Sequence, residues 1–484
     1  MTGMPILPRF ESALRRPRPR RLNARPAPPA DLHSAWLHRS RLPSWVSDCA
    51  AAVRALELLG PLHWERFPER DLLRDWGQPT IPYAACCGAL LIKLNEHLVS
   101  MTQLHRYLVE HPALIWLLHF PLAPTPQESL PDPRHFCRMA HQLPQIAAQA
   151  LLGDSVALIL AELAALGVPE VGQCISLDTK HILAWVKENN PKLCLADRYD
   201  KTRQPHGYPD CRLGCKRKHN RQLPAPLTPT TNPVPAAALQ IGEYYWGYAS
   251  GVVVTQVPGW GEFVLAEMTQ PFDAPDVSYF FPLMAQTQAR LGFRPRWGAF
   301  DAAFDAFYVY EYFHRPEDPF AFAAVPFSGR GGGDREPRRF SPEGLPLCRA
   351  GLPMPLKFAF TDRTTTRVEH QRGKYVCPLH FARPHDPAPC PVSDPRWAAK
   401  DGCTSMMPTS VGARIRHQLD RDSALYQAVY RQRSAVERIN GQAVALGIER
   451  PHLRNGAAIA NLNTLIYTLI NLRFLQRLRQ PVEA

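Results

Sequence analysis

No stretch of the chain reaches the roughly 18 uncharged apolar residues that a membrane-crossing helix requires. The nearest, Ala457 to Leu472, is interrupted by Asn461, Asn463 and Asn471 and reads as a packed helix. The N-terminus is basic and lacks the continuous apolar core of a secretory signal. Without such a signal, the 12 cysteines read as reduced thiols or metal ligands and not as a disulfide framework. A phosphate-cradling loop is also missing, because Arg330-Gly-Gly-Gly333 is too short and misplaced. Acidic residues are in deficit: 43 Asp and Glu face 56 Lys and Arg, for a formal charge of +13 and a pI near 9.3. That imbalance suits a polyanionic partner, with nucleic acid first. The expectation is a cytoplasmic protein without a membrane partner, at the nucleoid if it binds DNA.

What is present in excess is proline, 50 residues in 484, about twice the usual share. Long irregular connections follow. A hydrophobic content of 45% is globular, and the length accommodates two or three domains. Residues 1–40 form a Pro-rich basic arm (Arg15-Arg-Pro-Arg-Pro-Arg-Arg21), expected to be disordered and compatible with loose phosphate contact. Residues 41–168 read as helical, with apolar residues at helical spacing over Ser44–Leu59, Tyr83–Leu98 and Gln145–Leu166. Between them Ser100 or Thr102 can cap a new helix after a short break. That is the outline of a helix-turn-helix, and equally of any helical hairpin.

From Cys174 the period changes. Cys174–Leu183 is β-rich and places Asp178 inside a strand, where a carboxylate needs a partner, a metal or an edge facing water. Residues 187–240 interrupt as a flexible basic loop whose Lys216-Arg217-Lys218 run is the candidate contact to a DNA backbone. Its Cys194, Cys211, Cys215 and His219 lack clean zinc spacing. Strands then resume over Ser250–Val257 and Glu262–Ala266, joined by the turn pair Pro258-Gly259. A helix over Val277–Leu291, a strand over Arg296–Phe300 ending at Asp301, an aromatic helix over Ala302–Phe313 and a strand over Phe320–Val325 complete the order. Three strands, helix, strand, helix, strand is the order of an RNase H-like mixed five-stranded sheet flanked by helices. There the first strand runs beside the fourth, which would bring Asp178 to Asp301. The domain expected over 169–326 carries this sheet. Residues 327–410 read as a β-rich insertion, with strands at Leu356–Thr361 and Tyr375-Val376, ahead of the last helices over 411–484. Within it, Cys377 and His380 have the gap of a zinc half-site, with Cys348, Cys390 and Cys403 in reach. No second tight pair exists, so structural zinc and buried free thiols both stand.

Near the C-terminus, Tyr430-Arg-Gln-Arg433-Ser-Ala-Val-Glu437-Arg-Ile-Asn440 reads as one uninterrupted helix with Leu425, Val429, Val436 and Ile439 on its apolar side. Tyr430, Arg433 and Glu437 fall at i, i+3 and i+7, on one face. A lone helical carboxylate is ordinarily a solvated surface residue. This one shares its face with a phosphate-binding cation and an aromatic ring. The combination resembles the signature of bacterial insertion-sequence DDE transposases: Tyr, two residues, Arg, three residues, Glu, six residues, Lys. The Lys position holds Val444. The run Gly298-Ala-Phe-Asp301-Ala-Ala-Phe-Asp305 is similar to the family's second-carboxylate motif, with Asp301 the ligand and Asp305 a trailing, non-catalytic residue. Asp301 could otherwise be a plain helix cap.

The resemblance implies a nucleic-acid enzyme that uses two Mg²⁺ (or Mn²⁺) ions held by Asp178, Asp301 and Glu437, with Asp178 shared between them. It implies Arg433 on a phosphate, Tyr430 near the DNA end, and double-stranded DNA as both transposon end and target. A homodimer would be the active form, since two ends must be cut and joined together. A non-catalytic DNA-binding relic and a metal-dependent nuclease on the same fold are the rival readings.

Overall fold

The computed structural model describes residues 30–70, 80–205, 210–217, 242–328, 337–363, 368–381, 389–398 and 402–480. Two compact units divide the chain: residues 1–162 with 457–484, and residues 163–456.

The first unit contains helices and, among the described residues, no strand. Its longer members are α1 (Ala50–Leu59), α2 (Tyr83–Asn95), α3 (Met101–Glu110), α4 (Pro133–Gln142), α5 (Gln145–Ala165) and the C-terminal helix Gly456–Arg479. α3 starts at the expected cap: Ser100 Oγ accepts from Gln103 N at 3.1 Å, and Gln103 Oε1 accepts from Ser100 N at 3.3 Å. Three expectations need correction here. The first 29 residues of the basic arm lie outside the described residues, yet Ala30–Leu37 is helical and buries Leu32, so the arm is shorter than 1–40. The most membrane-like helix is α5, not Ala457–Leu472; its best window has mean hydropathy 1.6 and is 44% buried. Third, the C-terminal helix groups with these helices and not with residues 411–456. A polar seam explains the grouping. Asn461 Nδ2 donates to Ala140 O and Leu143 O, Thr464 Oγ1 accepts from Gln145 Nε2, and Asn471 Nδ2 donates to Ser155 Oγ. Buried amides require such partners.

The second unit is built on a six-stranded mixed sheet of β1 (Cys174–Leu183), β2 (Arg212–Arg217), β3 (Gly242–Val257), β4 (Gly261–Pro271), β5 (Trp297–Ala299) and β6 (Phe322–Ala324). The spatial order is β2-β3-β1-β5-β6, and β4 also pairs with β3. β3 is antiparallel to β1, β2 and β4, while β1, β5 and β6 run parallel. Gly259, at φ 80°, supplies the left-handed residue of the β3–β4 turn. β2 corrects the reading of 187–240 as a loop: Arg212–Arg217 pairs with Gly242–Gly247, extending the sheet.

Helices cover both faces. Opposite parity along β3 decides which side each takes. Gly251 faces α6 (Phe280–Leu291) and the turn before it, where a Cβ would lie 2.3 Å from the Tyr279 ring and 3.1 Å from Leu283. Val252, paired with Asp178, points to the other face, where α10 (Ser434–Ala445) contacts β1, β3 and β4. Between them in sequence come α7 (Phe307–Phe313), α8 (Val411–Gln418) and α9 (Ala424–Arg431), the last lying on β5 and β6.

The expected single helix through Tyr430 and Glu437 is two helices. Backbone bonds Gln432 N to Val429 O, Arg433 N to Tyr430 O and Ala435 N to Gln432 O tighten one turn to i→i+3 spacing. That turn rotates the apolar stripe, so Tyr426 and Val429 are buried whereas Leu425 is 38% exposed. The aromatic helix after Asp301 is likewise a short 3₁₀ turn, Ala302–Phe304, followed by α7. The segment 327–410 carries an antiparallel sheet, β7 (Leu356–Asp362), β8 (His370–Val376) and β9 (Thr404–Pro408), backed by Met354, Tyr375, Cys377, Cys403 and Met407.

Candidate functional site

Parallel pairing of β1 with β5 sets Ser176 opposite Ala299. Asp178 lies two residues beyond the first and Asp301 two beyond the second. The same side-chain parity and direction therefore bring both carboxylates to one end of adjacent strands. Each is held locally. Asp178 Oδ1 accepts from Thr179 N at 2.8 Å, and Asp301 Oδ1 accepts from Ala303 N at 2.8 Å, so the plain capping role of Asp301 is also present. The third carboxylate comes from α10. Glu437 is half exposed and ion-paired with Arg433 one turn earlier, and Arg433 is close enough to act electrostatically on Asp178.

Electrostatics mark Asp178 as the unusual member. Its carboxyl is pushed up to about 6: removal of water raises it most, the Thr179 N–H draws it down, Asp301 raises it, Arg433 draws it down, and Asp276 adds a smaller push. A displacement from 3.8 to about 6 corresponds to about 3 kcal/mol against the ionised form at neutral pH. A cation beside it would reverse the sign. Asp305 is the counter-case. Arg416 Nε and Nη2 donate to its two oxygens at 2.7 and 2.6 Å, Tyr310 Oη donates at 2.7 Å and Ser328 N at 2.7 Å. Desolvation pushes that carboxyl up, the Arg416 guanidinium together with the Ser328 N–H and the Tyr310 hydroxyl outweighs it, and it titrates below the ordinary carboxylate range. Asp305 is thus spoken for by the fold.

Two participants escaped the sequence reading. Asn440, three residues after Glu437, donates from Nδ2 to Asp178 Oδ2 at 3.3 Å. Asp276 accepts from Thr179 Oγ1 at 2.7 Å. The first was legible in principle from its i+3 spacing; the second arrives only through the packing of the turn before α6. Comparison with family models and with curated proteins gives no match. The site therefore stands on its own geometry.

The other candidates fall as follows. Tyr430 stacks on Tyr426 (5.9 Å between centroids), which stacks on Phe322 of β6 (6.3 Å), so its ring is partly committed to packing. Lys216 is exposed on β2 opposite Glu243, Arg217 is opposite Gly242, and Lys218 lies outside the described residues. Cys377 and Cys403 are buried in one cluster against which Cys348 packs, and a Cβ on Gly402 would lie 2.7 Å from the His380 ring and 2.9 Å from Cys377. Cys390 is half-buried in the connection ahead of β9. Among the described residues no group of three or more His, Cys, Asp or Glu is drawn tightly enough to hold a metal ion.

Side-by-side carboxylates are the donor type that a hard divalent cation takes. Asp178 and Asp301 offer carboxylate oxygens from one end of the sheet, and the elevated Asp178 is short of positive charge. Glu437, ion-paired with Arg433, is not drawn into that pair.

Proposed function

We propose that the chain is a DNA transposase of the Tyr-Arg-Glu insertion-sequence class, with an RNase H-like catalytic core that cuts at transposon ends and joins them to target DNA. The observation that carries this reading is the parallel pairing of β1 with β5, which leaves Asp178 and Asp301 two residues beyond paired positions, with α10, the helix that bears Glu437, packed over β1. The sheet order without β2, with strands 3-2-1-4-5 and only the last three parallel, supports the fold assignment.

Two Mg²⁺ or Mn²⁺ ions would activate the attacking oxygen and stabilise the leaving one. Asp178, Asp301 and Glu437 would hold them. The chain's own residues supply the rest. Arg433 exchanges its bond to Glu437 for a DNA phosphate, to which a guanidinium can bind bidentately. Tyr430 presents the free edge of its stack to the DNA end. Lys216, exposed on β2, adds a contact to the DNA backbone, and a dimer brings two ends together. Val444 in place of the family's Lys removes one end contact and leaves the carboxylates unchanged.

The test is cleavage of a labelled duplex copied from the DNA flanking the gene, with Mg²⁺ or Mn²⁺ and with EDTA. Metal-dependent nicking at one position, lost in Asp301→Asn and Glu437→Gln, followed by joining to a second duplex, is the expected result. Nicking without joining would assign a nuclease; retention of the duplex without cutting, unchanged in both variants, would assign a DNA-binding relic.

A further inference from the structure

Asn440 lies on the sheet-facing side of α10 and is only 8% exposed. Its neighbours on that side, Ala435, Val436, Ile439 and Ala443, are apolar and fully buried. A helix that served packing alone would carry an apolar residue at 440 too. A buried carboxamide has two donors and two acceptor lone pairs to satisfy, and an unmet one costs about 1–3 kcal/mol. Here Nδ2 donates to Asp178 Oδ2, while Oδ1 is buried with no hydrogen-bond partner. Charge fixes that orientation: the opposite amide flip would place Oδ1 against the Asp178 carboxylate.

The geometry points to Asn440 as a positioning residue of the cation site, which holds the Asp178 carboxylate through Oδ2 and offers its unpartnered Oδ1 to a water of the cation's shell. Mg²⁺ gives up its waters reluctantly, and each retained water needs an acceptor. An orphaned neutral oxygen next to the principal carboxylate meets that need without adding charge. The inference rests on the cation site proposed above. Placing Asn440 and Glu437 one turn apart on α10 also couples the helix to the occupancy of the strand.

Mn²⁺ titrated into the full chain by calorimetry tests it, with thermal melts of the metal-free protein alongside. The chains compared are the wild type, Asn440→Leu, Asn440→Ser and Asp178→Asn. Loss of a residue that orients a metal ligand weakens affinity by about ten- to a hundredfold. Asn440→Leu is expected to lose affinity on that scale while melting within a few degrees of the wild type. Asn440→Ser, which keeps a small hydroxyl and guards against misfolding of the Leu variant, is expected to fall between. Wild-type affinity in both variants, with Asp178→Asn impaired, would overturn the role of Asn440 alone. Absence of Mn²⁺ uptake by the wild type, with Asp178→Asn no different, would overturn it together with the cation site.

Discussion

Asp178 and Asp305 belong to the same sheet unit and are surrounded in opposite ways. Asp305 has a guanidinium on both oxygens, a tyrosine hydroxyl and a backbone N–H, and it is fully buried. Asp178 has one N–H from its own strand and one amide from α10, with Asp301 and Asp276 nearby adding charge of the same sign. One carboxylate is neutralised by the chain. The other keeps a carboxyl pushed above the ordinary range, which Arg433 only partly offsets. Folds keep such unbalanced groups at functional sites, where local stability is given up for chemistry.

The comparison breaks most visibly at Asp305. Asp305→Ala takes the carboxylate from part-buried Arg416, which keeps Ser328 O and the Phe327 ring, and such a loss costs up to about 3–5 kcal/mol. Chemical denaturation should show a large fall in midpoint, and an unchanged midpoint would remove Asp305 from the framework. Asp178→Asn should do the reverse. It relieves up to about 3 kcal/mol in the metal-free chain, raising the melting temperature while abolishing metal-dependent cutting. A lower melting temperature would mean that Asp178 is a structural residue.

The pH response sharpens the contrast. His417 accepts from Arg338 N at 3.1 Å beside Arg416, and desolvation followed by the Arg416 and Arg338 charges lowers it to about 4 from 6.5. Its folded state thus binds a proton less readily than its unfolded state. Stability is full above pH 6.5 and falls as the pH drops from there towards 4, by about 2 kcal/mol once partial exposure is discounted. His417→Gln should flatten that part of the stability curve; an unaltered slope would assign the acid loss elsewhere. The smallest effect belongs to Arg433→Ala. Its pair with half-exposed Glu437 contributes about 0.3–0.5 kcal/mol, so melting should hardly move. Its DNA affinity should fall, with a salt dependence shallower by about one ion. Unaltered salt dependence would place Arg433 off the phosphate.

The strands that carry the site were legible because they are rich in β-branched and apolar residues and the hairpin is marked by the Pro258-Gly259 turn. Cys174–Leu183 was expected at its observed bounds, and the β3–β4 hairpin at its turn, although β3 begins at Gly242 and not Ser250 and β4 runs on to Pro271 and not Ala266. So was the adjacency of the first and fourth sheet strands of the expected order. β2 was not legible, because Arg212–Arg217 is basic, short and an edge strand, so composition suggested a loop. The break at Gln432-Arg433 was hidden for another reason: no Pro or Gly marks it, and the tightened turn shows in its backbone bonds and in the burial of Tyr426 in place of Leu425. Asp305 and Asp301 look alike in sequence. What separates them is Arg416, 111 residues away in the chain.

The most direct test of the account is a crystal of the full chain soaked in Mn²⁺ and read by anomalous scattering. The prediction is metal density between Asp178 and Asp301, with Glu437 swung from Arg433 into the shell. Density elsewhere, or none with Glu437 still on Arg433, would contradict the cation site and the reaction built on it.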